Sequence, residues 1–256
     1  IRSTIPYGES RGKHLLAVYL PQEGLVLMQI EVDLKENEIV VAPRALQMVD
    51  LKGKIVVGDA LHTQRAISAQ VVQAGGHYCW TVKDNQPNLK AAIEQFFEPE
   101  VEMPGLGKAI MDMQVISVPN QGHGRFERRT LAACGVRTGE LDWPYAQQVF
   151  KLHRRCVQRN SGKVTEETAF GITSLAAEQA DARRLLSVNQ GYWGIENGLH
   201  YRRDVTLKED RTRVKIGQSP RVMAILNNLV VGLIARNGDR FVPEARRRFS
   251  AQPSGR

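Results

Sequence analysis

Between residues 55 and 97 the sequence runs strand, helix, strand, helix, an order that constrains the class of fold without selecting one fold within it. Ile55-Val56-Val57-Gly58 is short, β-branched and continuous, as expected of a strand buried on both faces. Thr63 is expected to cap a helix that continues to residue 74 and stops at Gly75-Gly76. A second buried strand fits residues 77–82, and a helix from Pro87 to about residue 97 carries its proline in the first turn. Strands joined by helical crossovers pair in parallel, so an α/β sheet is expected. Upstream, apolar alternation over residues 15–20 and 25–32 flanks Pro21-Gln22-Glu23-Gly24, a hairpin signal that adds antiparallel strands. Asn37 then precedes a helical pattern of Ile39, Val40, Ala45, Leu46 and Val49, with Pro43 read as the true first turn.

From about residue 111 the texture changes. Residues 111–118, 125–134, 147–157 and 164–172 read as strands separated by loops of Gly, Pro and charge. Residues 175–186, 192–203 and 220–235 read as helices. The expected organisation is a first part of an α/β core at 1–110, a β-rich insertion at 111–173, a helical completion of the core at 174–237, and a basic tail at 238–256.

Charge narrows the range of partners. The net charge is +8, and it is unevenly distributed: residues 1–100 hold 10 Lys/Arg against 12 Asp/Glu, and the remainder hold 25 against 15. Lys151, Arg154, Arg155, Arg159 and Lys163 fall in one run without an acid. A basic half on a near-neutral half suits a polyanion, because neutralising phosphates releases condensed counterions; a merely solvated face is the alternative. Cys79, Cys134 and Cys156 are odd in number and lack CxxC spacing, which argues against a zinc site or a disulfide framework and suits a reducing cytoplasm. No apolar run reaches the roughly 18 residues that span a bilayer, so no membrane partner is expected. The opening Ile1-Arg2-Ser3-Thr4 has neither an apolar leader nor an initiator methionine, so the sequence is expected to be a piece of a longer reading frame.

Two carboxylates stand where chemistry is plausible. Asp59 ends the strand 55–58, and the carboxyl ends of α/β strands are where such sheets bind ligands; a turn or capping Asp is the plainer reading. Glu196 is placed near the start of a helix, where an acid ordinarily matches the macrodipole. Tyr192, Glu196 and His200 follow at i, i+4 and i+8, and Arg203 is expected on the same side, with Trp193 and Leu199 on the flank that meets the core. Such a face suits a metal opposite a phosphodiester, or it is an ordinary surface helix. Lys83, Asn85 and Gln86 follow the strand 77–82 and either contact DNA or form a polar turn before Pro87. His123, Arg125, Glu127 and Arg129 alternate onto one strand face, as a DNA-facing stripe or a ladder of ion pairs.

Together these segments resemble the insertion-sequence DDE transposases, in the H-repeat-associated branch. The resemblance is carried by Val57-Gly58-Asp59-Ala60 with Gln64 and Gly75-Gly76-His77-Tyr78, and by Val82-Lys83-Asp84-Asn85-Gln86-Pro87. Two further segments extend it: Gly122-His123-Gly124-Arg125 with Glu127 and Arg129, and Trp193-Gly194-Ile195-Glu196-Asn197 with Leu199-His200, Asp204-Val205 and Glu209-Asp210. It implies an RNase H-like mixed sheet flanked by helices, in which three carboxylates hold two Mg²⁺ ions (Mn²⁺ in their place) for cleavage and strand transfer of DNA. Asp59 takes the second acid and Glu196 the third, with the β-rich insertion between them. The first acid belongs to a D-G-K motif just before the segment corresponding to Ile1, so this chain alone is expected to be inactive. Tyr192 departs from the pattern, since relatives often carry a basic residue there.

The implied partners are double-stranded DNA, both element ends and target, and a second copy in the DNA complex, in a nucleoid-associated cytoplasmic setting. Lys83, Asn85, Gln86, His123, Arg125, Arg154, Arg155, Arg159, Tyr192, His200 and Arg203 are the candidate DNA contacts. A DNA-binding relic without catalysis and an RNase H-like nuclease without strand transfer are the competing readings. A tyrosine recombinase would need a differently spaced Arg/His cluster.

Overall fold

The computed structural model describes residues 14–33, 36–98, 113–122, 124–212, 217–239 and 241–251. In chain order its elements are β1 (His14–Leu20), β2 (Leu25–Val32), α1 (Glu38–Gln47), β3 (Ile55–Gly58), α2 (Arg65–Gln73), β4 (His77–Val82) and α3 (Pro87–Gln95). These are followed by β5 (Gln114–Gly122), β6 (Arg125–Gly135), β7 (Gln148–Gln158), β8 (Val164–Thr173), α4 (Ala182–Ile195), α5 (Ser219–Arg236) and α6 (Val242–Ala251). After α4 the chain continues through two wider π-helical stretches, Glu196–His200 and Arg202–Thr206, and a separate short 3₁₀ turn follows at Glu209–Arg211. No helix among the described residues is long and apolar enough to cross a membrane.

The chain divides into two compact units, residues 51–190 and residues 1–50 with 191–256. In the first unit a six-stranded mixed sheet has the order β3-β4-β8-β7-β6-β5. β3 and β4 pair in parallel, as the crossover through α2 requires, and β4–β8 and all later pairs are antiparallel. The four strands of the β-rich segment therefore extend the sheet that begins with β3, joining it through β8. β3 itself departs from expectation. Its four residues are half-buried, and β4 is its one neighbour among the described residues, so its continuous apolar run marks an edge strand.

Helices cover both faces of the β3–β4 end. Cys79, Leu131, Ala133 and Phe150 cluster with Leu185 and Leu186 of α4 on one face. On the other, Trp80 stacks on Tyr78 and donates its Nε1–H to Ser68 Oγ of α2 at 2.9 Å, while Phe97 beyond α3 packs on Phe170. Gly171 has a packing reason: it lies directly opposite Phe150, whose ring would sit 2.0 Å from any added Cβ. All three cysteines are buried and free.

Capping differs from the sequence reading at two helices. α2 starts at Arg65 with Gln64 at its N-cap, because the Thr63 hydroxyl is engaged elsewhere, donating to the Thr81 carbonyl at 2.9 Å. The helix does end as expected: Gly75, at φ +79°, and Gly76 close it with amide bonds to the Val72 and Val71 carbonyls. α1 has the expected cap, Asn37, whose side chain accepts from the Val40 amide, but Pro43 is the sixth helical residue and not in the first turn.

In the second unit β1 and β2 form the expected antiparallel hairpin, with α1 and α5 against it. Two glycines one turn apart let the helix after Gly191 approach the hairpin closely. A Cβ on Gly194 would lie 3.2 Å from Pro21, and one on Gly198 would lie 2.5 Å from the Tyr19 hydroxyl. Residues 242–251 of the basic tail are helical, with Val242 and Ala245 buried against Ile234.

Candidate functional site

Asp59 is the residue on which β3 ends. Its extended backbone and its side chain start the 3₁₀ turn Ala60–His62: Oδ1 accepts from the Ala60 amide at 2.6 Å, and the side chain is exposed. The capping reading of Asp59 is thus met by one oxygen, while the other has no protein partner among the described residues. Gly58 suits the tightness of the turn, since a Cβ there would lie 3.1 Å from the His62 ring.

The loop after β4 braces this turn. Asn85 Nδ2 donates to the Ala60 carbonyl at 2.8 Å and Gln86 Nε2 to the Thr63 carbonyl at 2.9 Å. The two amides are therefore engaged by backbone on either side of the Asp59 turn, which gives the polar-turn alternative a definite job. Lys83, from the same loop, is exposed with no anionic partner among the described residues. Asp84 pairs with Lys90 at 2.8 Å, and that hydrogen bond holds its carboxyl below the ordinary aspartate value. Asn85→Ala or Gln86→Ala leaves a loop carbonyl without its donor and is expected to cost about 0.5–1.5 kcal/mol of stability. Denaturant titration checks this; an unchanged midpoint would mean that the amides do not hold the loop.

Glu196 lies where α4 widens into the first π-helical stretch, fourteen residues past Ala182 and far from any helix start. The macrodipole explanation therefore drops out. π-Helical turns inside α-helices recur at functional positions, and here the wider turn begins at the carboxylate itself. Glu196 is two residues from both Gly194 and Gly198, so it falls opposite the hairpin contact, exposed and without a protein partner among the described residues. Tyr192 and His200 are half-buried, and Leu199 is fully buried, as expected of the core-facing flank. Trp193 is 54% exposed, against expectation, with its ring edge-on to Tyr192 at 6.2 Å.

Arg203 does not share the Glu196 face. The π geometry carries it to the buried side, where its Nε donates to Glu209 Oε2 at 2.8 Å and both residues are at most 5% exposed. Asn227 of α5 donates to the same carboxylate oxygen at 3.0 Å. Beside this pair, burial and the charges of Asp210 and Glu209 raise the Asp204 carboxyl above its ordinary value, only partly offset by Arg203 and His200.

The basic residues of β6 and β7 divide between the two sheet faces. Register and alternation place Arg125, Glu127, Arg129, Arg154 and Glu167 on the α4 side. Glu127 is buried there and takes Arg129 and Arg154 at 2.7 Å each, with Arg125 at 3.8 Å. Burial opposes its ionisation, but the Arg154 hydrogen bond and the three guanidinium charges outweigh that, and its carboxyl lies below the ordinary glutamate value. The ladder alternative is thus what this stripe displays; His123 lies outside the described residues. Arg155 faces the other way and pairs with Glu166 at 3.0 Å, and Arg159 sits over the Phe126 ring at 4.9 Å. The sequence reading passed over Arg128, which alternation puts on the Arg155 side, and it missed that Asn85 and Gln86 grip the Asp59 turn.

Among the described residues no group of three or more His, Cys, Asp or Glu side chains is gathered to hold a metal ion. The profile of the family described as Transposase DDE domain matches residues 6–233. Over 244 residues the chain is 27% identical to the "H repeat-associated putative transposase YhhI" of Escherichia coli K12, covering 90% of this chain and 61% of that protein. It is 34% identical over 142 residues to the "H repeat-associated putative transposase YbfD" of the same strain, 54% of each chain. The chain thus spans about 61% of the length of the longer relative, YhhI. With four motifs in order and a profile match over most of its length, the chain belongs to the transposase DDE domain family, in its H repeat-associated branch.

Proposed function

We propose that this chain is the catalytic part of an insertion-sequence transposase that cuts DNA and joins the cut strands to a target. The observation that carries the reading is the state of the two carboxylates assigned by the family motifs. Asp59, at a strand's carboxyl end, and Glu196, at a π-helical turn, are both exposed, and each has oxygen free of protein partners among the described residues. Exposed oxygen donors suit a hard cation, so Mg²⁺, with Mn²⁺ as substitute, is the ion these residues would hold. Two such ions, when bound, activate a hydroxyl and stabilise the leaving oxygen during in-line displacement at phosphorus. The chain's own part is to present Asp59 from a turn that Asn85 and Gln86 hold, and Glu196 from a helix seated on the hairpin through glycines.

An RNase H-like core accommodates the element order hairpin, α1, β3, α2, β4, α3, with β3 parallel to β4. In this reading residues 1–110 begin the core, 111–173 are a β-rich insertion between the two acids, 174–237 complete the core and 238–256 form a basic tail. The partners are DNA at the element ends and target, and a second copy of the chain once DNA is bound, in the nucleoid-associated cytoplasm.

The test is incubation of the complete encoded protein with duplexes carrying the element ends, with Mg²⁺ or Mn²⁺, and resolution of the products. Joined strands support the reading. Nicks alone would replace it with a nuclease, and binding without products with a DNA-binding relic.

A further inference from the structure

Arginines stand directly opposite each other twice across the β6–β7 pair, Arg129 with Arg154 and Arg128 with Arg155. Like charges in that position destabilise a sheet unless something neutralises them. On the α4 side the buried Glu127 does so for both members. On the opposite face Arg155 has Glu166, but Arg128 is exposed with no acidic partner among the described residues, and its other neighbour, on β5, is Pro119.

The same face gathers further cations. Lys151 lies four residues along β7 from Arg155 on the same side, with no anion against it among the described residues, and Arg159 covers Phe126, two residues from Arg128. Over the described residues of β5 to β8, alternation puts one carboxylate on this face, Glu166, against Arg128, Lys151 and Arg155 with Arg159 at the rim. Ser117, Thr130 and Thr168 add hydroxyls between them. Arg128, Arg155 and Arg159 are exposed, and Lys151, beside Phe170, is half-buried. Cations that outnumber the carboxylates of one face suit a partner with regularly spaced negative charge.

We propose that this outer face of β5–β8, through Arg128, Lys151, Arg155 and Arg159, is the track for the phosphate backbone of duplex DNA, in place of the Glu127 stripe on the opposite face. This rests on the reading of the chain as a protein that acts on DNA. Phosphate contacts of this kind position a duplex without reading its sequence. They therefore predict binding that is strongly salt-dependent and indifferent to sequence.

The test measures affinity of the 256-residue chain for a random-sequence duplex at several salt concentrations. The Arg128→Ser, Lys151→Ser double variant is expected to lower the magnitude of the log–log salt slope by about 0.9 per lost contact, nearly 2 in all, for every duplex tried. Arg125→Ser, on the Glu127 face, is expected to leave the slope unchanged. Thermal melts confirm folding, and Arg128→Glu or Lys151→Glu singly repeats the test should the double variant be unstable. An unchanged slope in the double variant with tight wild-type binding would overturn this face alone, as would an equal loss in Arg125→Ser. A wild-type chain that binds no duplex at low salt would overturn the DNA reading and this inference together.

Discussion

In the complete encoded protein, replacing Glu196 with Gln, or Asp59 with Asn, is expected to reduce strand cleavage by at least about two to three orders of magnitude, the scale of removing one electrostatic anchor from a transition state. Affinity for DNA and its salt dependence should stay near wild type. The separation follows from where the side chains lie. Glu196 has no protein partner among the described residues, so the amide removes charge without releasing any contact. Asn at 59 keeps an oxygen for the Ala60 amide, so the turn survives while half of the metal-binding character goes. Cleavage assays in Mg²⁺ beside binding titrations and melting curves check the pattern. Full cleavage by either variant removes the catalytic assignment; lost binding or a lowered melting temperature would make the residue structural.

The second large effect is on stability. Glu209→Ala strands the Arg203 guanidinium in a site where it is 5% exposed, and also removes the acceptor for Asn227. Breaking a buried pair from one side costs about 3–5 kcal/mol, because the remaining charge keeps its desolvation penalty. Removing both charges at once, as in Arg203→Met with Glu209→Leu, is expected to recover much of that loss. Denaturant unfolding of the two variants beside wild type decides it. A Glu209→Ala protein within about 1 kcal/mol of wild type would mean that the pair is solvated.

These two sites show how far pattern reaches. The hairpin, the strand–helix–strand–helix order and the four later strands were legible because alternation, Gly and Pro are local signals. Asp59 was legible as a strand-ending acid for the same reason. Edge position was not, since four apolar residues read alike in a central strand and in β3, and neighbour order is a property of the whole sheet. The helix leading to Glu196 is one element from Ala182, where the pattern reads two, 175–186 and 192–203, because the polar residues and Gly191 at 187–191 carry no apolar period. A 3.6-residue period also has no way to announce a π-helical stretch, which moved Arg203 off the expected face. The basic stripe failed for a third reason. Alternation sorts residues within a strand, but only the pairing register shows that Glu127 serves Arg154 while Arg128 meets Arg155.

The π-helical run has a consequence for how this segment tolerates changes in length. Each π turn houses one residue more than the α-helical turn it replaces. Removing a single residue between Gly198 and Thr206 therefore gives the helix a way to heal, by tightening to α geometry with its backbone bonds still closed. Such a deletion is expected to leave folded protein with the stretch beyond it still in phase, because one α turn covers the same rotation as the π turn it replaces. Residues on either side would keep their faces, Glu196 above the hairpin among them. An ordinary α-helix would instead turn everything beyond a one-residue deletion by about 100°.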